Sequence, residues 1–209
     1  DGQAEFEITH CSIYTILEKP VLKEGYENIA YVSGYDDDTF RPNKSLSRAE
    51  AAVMLSRLLE SEGIQGESEF TDTDMWAKEE IVILSELDVI SGYSDDTFKP
   101  NKDITRGELA VIMSKVLGLD INEDKAGFTD TEDHWAENAI IALREAGIVN
   151  GYSDGSFKPD DVVTRVEAIA MINRAFEREG DETKVYNNPF GDIDNNHWAF
   201  YLIMNAAGQ

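Results

Sequence analysis

The chain has 209 residues and a formal net charge of −24, from 42 acidic and 18 basic residues. So acidic a chain is a poor match for nucleic acid, whose binding depends on Lys and Arg. No apolar run approaches the roughly 20 residues that a membrane-spanning helix needs. The single cysteine, Cys11, excludes an internal disulfide. The alternating "AEFEI" near the start of the chain does not resemble a signal peptide, so we expect none here. If the protein is exported, we expect this chain to be an internal or C-terminal segment of a longer protein.

The first 25 residues differ from the rest of the chain. Residues 1–17 alternate apolar and polar side chains through Phe6 and Ile8, which is typical of a strand. We expect this strand to be the tail of an upstream domain. Residues 18–25, "EKPVLKEG", read as a linker.

The rest of the chain contains two motifs, each present three times. "GYDDDTFRPNKSLSRAE" begins at Gly34, "GYSDDTFKPNKDITRGE" at Gly92 and "GYSDGSFKPDDVVTRVE" at Gly151. The other motif reads "FTDTDMWA" from Phe70, "FTDTEDHWA" from Phe128 and "FGDIDNNHWA" from Phe190. Repeats of this length predict copies of one small unit that share a core.

Each motif predicts a local structure. We expect a helix of about 12 residues at each "WA" pair, capped by an upstream Asp or Asn. For the motif from Phe128, the apolar stripe of this helix would run from Trp135 to Ala146, and Gly147 would end it. The "GY" motif holds turn residues and predicts a loop. A second helix should follow each loop, opened by the capping boxes Ser47–Glu50, Thr105–Glu108 and Thr164–Glu167.

These elements predict an all-α fold with three helix-loop-helix repeats in a pseudo-threefold assembly around a shared central helical bundle. The repeats would span residues 26–69, 70–127 and 128–189. Because the first repeat lacks its own "WA" helix, residues 190–209 should supply it and close the assembly. We expect Phe40, Phe98 and Phe157 to lie in the core beneath the loops. Trp76, Trp135 and Trp198 lie at helix starts and could belong to the core or to the wall of a groove, and we favour the core.

An arginine follows each cap residue, at Arg48, Arg106 and Arg165. In the first turn a cation opposes the helix dipole, which costs up to about 1 kcal/mol. Free amides at a helix start favour anions, and a guanidinium fits a carboxylate. A charge-assisted hydrogen bond returns about 1.5–3 kcal/mol, so a bound anion would explain the position. The alternative is an ion pair with an acid of the same loop, such as Asp37, Asp95 or Asp154.

The motifs resemble those of the S-layer homology family, whose repeat joins an F-x-D…WA helix, a G-Y-x-D-G-x-F-x-P loop and an [ST]-R-x-E helix. The resemblance covers about residues 26–209. It implies a non-catalytic, extracellular module that anchors a secreted surface protein to the bacterial wall by binding an acidic, pyruvylated secondary cell-wall polysaccharide. It also associates the three arginines with binding.

Other side chains of the loops are candidates for the same sites, because 8 of the 18 bases lie within the three "GY" motifs. The residues by themselves favour packing for the tyrosines and turn ordering for the aspartates, with contact to the sugar as the alternative. Asp161 replaces a lysine in the third motif, and Val166 is bulkier than Gly107. We therefore expect the second site to bind best and the third worst. The further candidates are Arg41, Lys44, Lys99, Lys102, Lys158, Asp37, Asp95, Asp154, Tyr35, Tyr93, Tyr152 and Gly107.

Two other functional classes are weaker. Acidic clusters at 72–74, 130–134 and 192–196 allow a calcium-stabilised scaffold for protein partners, but none completes an EF-hand and helix capping also explains them. No nucleophile motif, metal spacing or phosphate loop indicates an enzyme, and we expect no cofactor. We expect no membrane insertion and a monomeric module.

Overall fold

The computed structural model describes residues 20–119, 127–178 and 180–209. After a short 3₁₀ helix at Tyr26–Asn28, its helices are α1 (Arg48–Ser56), α2 (Lys78–Glu86), α3 (Arg106–Leu117), α4 (Glu137–Glu145), α5 (Arg165–Ala175) and α6 (Phe200–Ala206). Extended pairing in these described ranges is confined to isolated bridges. The predicted all-α class is therefore confirmed, whereas the strand predicted in residues 1–17 lies outside the described residues.

Helices α1, α3 and α5 begin as predicted. In each, the cap hydroxyl accepts a hydrogen bond from the backbone amide of the glutamate three residues later, and that carboxylate accepts one from the cap amide. Both halves of a capping box are thus formed at Ser47, Thr105 and Thr164. The arginine is the first residue of each helix.

Helices α2, α4 and α6 differ from the prediction. They have nine, nine and seven residues, begin after the alanine of "WA", and show no cap hydrogen bond from an Asp or Asn side chain. The predicted length and cap are wrong. Instead, the amides of Ala136 and Ala199 donate to Nδ1 of His134 and His197 at 3.1 and 3.2 Å. Gly147 does follow α4 with a left-handed φ of 75°, as expected.

The three repeats meet at a cyclic set of backbone hydrogen bonds. The amide of Leu46 donates to the carbonyl of Val163, Ile104 donates to Leu46, and Val163 donates to Ile104, at 2.9–3.0 Å. All three side chains are fully buried. Helix pairs α1–α2, α3–α4 and α5–α6 pack around this centre, and one hydrophobic cluster includes residues of all of them. This arrangement is the predicted pseudo-threefold assembly.

The Phe-x-Asp part of each "WA" motif holds the loop of one "GY" motif in place. Asp72, Asp130 and Asp192 each accept two loop amides, at 2.6–2.9 Å, from Phe98 and Lys99, from Phe157 and Lys158, and from Phe40 and Arg41. The phenylalanines of the two motifs pack together with ring centroids 5.1–5.5 Å apart. Phe40, Phe98 and Phe157 are buried, which confirms their predicted core role. These three aspartates therefore order loops and do not cap α2, α4 or α6.

A buried arginine ties the two ends of the described chain together. Arg178 donates to the carbonyls of Tyr26 and Ile29 at 2.6 and 2.9 Å, and to the side chain and carbonyl of Asn205. Desolvation lowers the pKa of this guanidinium. Since a buried charge is tolerated only with such partners, Arg178 fixes the start of the first repeat against α6.

Replacing the cap of α3 tests the local part of this fold. Thr105→Ala removes the hydroxyl that accepts the Glu108 amide, so we expect unfolding free energy to fall by about 1 kcal/mol in urea denaturation. Thr105→Ser, which keeps the hydroxyl, is the matched control. Equal losses in both variants would contradict the capping role.

Candidate functional site

The three first-turn arginines point away from their own loops and into the loop of another repeat. Nε of Arg48 donates to the carbonyl of Phe98 at 2.8 Å, and Nη2 donates to Ser91 at 3.0 Å. Arg106 donates in the same way to Phe157, and Arg165 to Phe40 and Ser33. The arginines are only 5–8% exposed. Each arginine therefore binds the loop of a different repeat from the one that carries it.

The first-turn amides are also occupied, contrary to the expectation that they would be free. The amide of Arg48 donates to the carbonyl of Lys102, and the next amide, of Ala49, donates to Pro100. Gly107 makes the equivalent bond to Pro159, where a Cβ would lie 3.0 Å from the carbonyl oxygen. Gly107 is thus buried at the junction of repeats rather than open to a ligand.

The acid that faces each arginine is a cap glutamate, not an aspartate of the same loop. Nη1 of Arg48 lies 3.6 Å from Glu108, Arg106 lies 3.4 Å from Glu167, and Arg165 lies 3.7 Å from Glu50. The same-loop ion pair considered from sequence is therefore wrong. Because each pair joins two different repeats, the three pairs run once around the pseudo-threefold axis.

A lysine and a tyrosine complete two of these clusters. Nζ of Lys102 lies 3.0 Å from Glu108 and donates to the Tyr93 hydroxyl at 2.9 Å, and that hydroxyl donates to Glu108 at 2.7 Å. Lys44 makes the corresponding contacts with Tyr35 and Glu50. Both lysines are about 44% exposed at the side chain. Their cations therefore remain accessible from solvent.

These contacts keep the clusters charged. Burial opposes ionisation of Glu108, but the Thr105 amide, the Tyr93 hydroxyl and Lys102 outweigh it, so the net pKa is lowered. The pKa of Glu50 is lowered in the same manner. The pKa of Lys44 and Lys102 is raised by the hydrogen bond that each donates to a tyrosine hydroxyl and by its contact with the glutamate. Desolvation opposes this shift without cancelling it.

The aspartates and the remaining cations of the loops form a separate, outer layer. Asp37 accepts hydrogen bonds from Thr39 and pairs with Arg41 at 2.8 Å, which together lower its pKa to about 2. Asp95 pairs with Lys99 at 3.2 Å. Asp154 accepts from Ser156, which lowers its pKa. The aspartates order the turns as expected. Arg41, Lys99 and Lys158 lie 4.1–4.3 Å from the ring centroids of the loop tyrosines.

Two grooves open beside these clusters. The first groove, of about 230 Å³, is lined by Tyr35, Glu50, Trp76 and Arg165, with Tyr31, Val32, Ser33, Gly34, Val53, Met54 and Arg57. The second groove, of about 360 Å³, is lined by Arg48, Tyr93, Glu108 and Trp135, with Ser91, Gly92, Val111 and Ile112. Each groove combines the tyrosine and cap glutamate of one "GY" motif, the arginine of another and the tryptophan of a "WA" motif.

The tryptophans of the "WA" pairs do not lie in the core. Trp76, Trp135 and Trp198 are 63–64% exposed, so the core prediction is wrong. They precede α2, α4 and α6 and so fall outside the helical stripe that suggested burial. Trp76 and Trp135 instead form a wall of the two grooves, where an indole face can stack on an apolar ligand surface.

The described residues contain no group of three or more His, Cys, Asp or Glu that could hold a metal ion. In the same ranges, no helix is long and apolar enough to cross a bilayer.

Comparison with known proteins identifies the family. The S-layer homology domain profile matches residues 30–52, 69–110 and 127–169, which include the three capping boxes and their arginines. The chain belongs to the S-layer homology domain family.

The relatives are longer proteins. Cell surface glycoprotein 1 of Acetivibrio thermocellus is 39% identical over 201 residues, covering 88% of this chain and 8% of that protein. The cellulosome-anchoring protein of the same organism is 35% identical, covering 87% and 42%. The S-layer protein of Bacillus thuringiensis subsp. finitimus is 29% identical, covering 74% and 19%. The chain therefore spans less than half the length of each.

The Glu108 cluster should stabilise the protein in a pH-dependent way. A lowered folded-state pKa gives stability that is present above the ordinary value of 4.5 and is lost as pH falls through the folded pKa. Glu108→Gln should therefore lower unfolding free energy by about 1–3 kcal/mol at neutral pH, with a smaller deficit towards about pH 3. Urea unfolding across this range measures it, with Glu86→Gln, outside the grooves, as control. A deficit independent of pH would contradict the proposed electrostatics.

Proposed function

We propose that this chain anchors the protein that carries it to the bacterial cell wall, non-covalently, by binding an acidic, pyruvylated wall polysaccharide. Membership of the S-layer homology family, together with its cell-surface and S-layer relatives, indicates a location outside the cell, at its surface. The role needs no catalytic step at the grooves. Binding is carried by the first and second grooves.

The charge balance of these grooves carries the proposal. In a chain of net charge −24, Lys44 and Arg165 pair with Glu50 at the first groove, which Arg57 also lines. The second places Lys102 and Arg48 against Glu108 alone. Two cations to one carboxylate leave a surplus of positive charge where the rest of the surface would repel an anion. A pyruvate ketal carries the carboxylate that matches this surplus.

The cap glutamate does not have to leave when the ligand arrives. One carboxylate oxygen of Glu108 accepts the Thr105 amide at 2.9 Å, and the other faces Tyr93, Lys102 and Arg48. The capping box therefore holds this group in place. A ligand carboxylate would join as a second anion, with Lys102 as the accessible partner and Arg48 as a buried, fixed charge.

The exposed tryptophan supplies the second half of recognition. A sugar ring presents an apolar face of C–H groups, and Trp135 offers an indole at the wall of the second groove. Trp76 does the same in the first groove. The acidic substituent would then lie over the lysine while the ring stacks on the indole. Two such grooves on one rigid body add weak contacts as avidity.

The geometry changes the expected ranking of the sites. The sequence-based ranking assumed that each arginine acts with its own loop, which is wrong. The loop that lacks the lysine, with Asp161, instead receives Arg106. The first groove, with Arg165, and the second groove, with Arg48, should therefore bind the acidic polymer best. The cluster around Arg106 should bind it worst.

Removing the groove lysines tests the proposal. Lys44→Ala with Lys102→Ala should weaken binding of pyruvylated wall polysaccharide by about tenfold or more, since each loses a charge-assisted contact. Sedimentation with purified sacculi measures it. Lys78→Ala with Lys184→Ala gives the same change in net charge outside the grooves.

Removal of the ketals from the sacculi should weaken wild-type binding by a similar factor. Equal weakening by the control pair, or unchanged binding to ketal-free walls, would refute the assigned role.

A further inference from the structure

The third cluster has the opposite charge balance from the other two. Asp161 stands where the other loops have Lys44 and Lys102, and its negative charge acts on Tyr152. Arg106 therefore faces the Glu167 carboxylate without a lysine beside it, and Asp161 adds a second negative charge to this loop. The Glu167 side chain is 31% exposed, compared with 18% for Glu50 and 13% for Glu108. An acidic ligand would meet repulsion here rather than attraction.

The guanidinium of Arg106 uses a different nitrogen for its second hydrogen bond, which goes from Nη1 to Glu167. Arg48 and Arg165 each use Nη2 to bind the carbonyl before the loop glycine, at Ser91 and Ser33. The equivalent residue is Asn150, and the following Gly151 has a left-handed φ of 67°. Among the described residues, Nη2 of Arg106 has no hydrogen-bond partner. Nη2 of Arg106 is therefore available to donate to a ligand beside the partly exposed carboxylate of Glu167.

The pseudo-threefold relation of the helix pairs assigns Trp198 to this cluster. Trp76 and Trp135 precede the helices that pack on α1 and α3, and each forms the wall of a groove. Trp198 precedes α6, which packs on α5, the helix that carries Glu167. It is 63% exposed, and Tyr152 is 37% exposed. We call this set, Arg106, Tyr152, Asp161, Glu167 and Trp198, the third groove.

We propose that the third groove binds an uncharged sugar residue, whereas the first two bind an acidic one. Sugar hydroxyls both donate and accept, so they can bridge the free guanidinium edge and the glutamate and aspartate oxygens. The indole supplies a stacking surface without any charge requirement. This inference rests on the proposed polysaccharide-binding function and assigns Asp161 as the residue that sets the specificity of this groove.

The experiment uses the whole chain and two probes, a wall oligosaccharide bearing pyruvate ketals and the same fragment after mild acid removal of the ketals. The Lys44→Asp, Lys102→Asp double variant, in which the first two grooves lose their surplus charge, is titrated calorimetrically with both. We expect the acidic fragment to lose affinity by at least about tenfold and the neutral fragment to keep its affinity. Adding Trp198→Ala should then abolish neutral binding, whereas adding Val185→Ala, which truncates an exposed apolar side chain outside the three grooves, should not.

Asp161→Lys in the same double variant should reverse the preference, raising affinity for the acidic fragment about tenfold. Absence of neutral binding in the double variant, insensitivity to Trp198→Ala, or no response to Asp161→Lys would each overturn the inference. These failures are distinct from failure of the wall-anchoring proposal, in which the wild-type chain would not favour the ketal-bearing fragment at all. Circular dichroism of each variant verifies the fold.

Discussion

Each arginine-bearing helix of this protein starts inside the loop of another repeat. The amides of its first two residues donate to that loop's carbonyls, and the arginine side chain donates to the carbonyl of the buried loop phenylalanine. These groups would be left without partners in an isolated repeat, at a cost of about 1–3 kcal/mol for each buried one. The contact therefore makes the repeats interdependent, and the hydrogen bonds among Leu46, Ile104 and Val163 close the same cycle at the centre.

The same contact creates the grooves. A guanidinium at a helix start opposes the dipole of its own helix, but here it lies against the cap glutamate of another repeat and against backbone carbonyls. The arginine is therefore fixed and nearly buried, and the accessible charge comes from Lys44 and Lys102.

Features that depend on short sequence spacing were predictable. A capping box needs residues three apart, and an apolar stripe needs period 3.6, so α1, α3 and α5 and their buried faces follow from local sequence. The loop phenylalanines and the turn-ordering role of Asp37 and Asp95 were predictable for the same reason. The tryptophans were not, because each "WA" helix starts two residues after its tryptophan, so the indoles fall outside the apolar stripe.

The sequence by itself therefore determined the repeat count, the all-α class, the capped helix starts and the clustering of cations beside them. Only the tertiary structure decided which loop each arginine serves, that its ion partner is a cap glutamate, and which groove lacks a lysine. The partners in these contacts are 43 or more residues apart, and the bonds of Arg48 to Phe98 and Arg165 to Phe40 span 50 and 125 residues. Local spacing carries no information on such pairs, because they form only when the three repeats close around one axis.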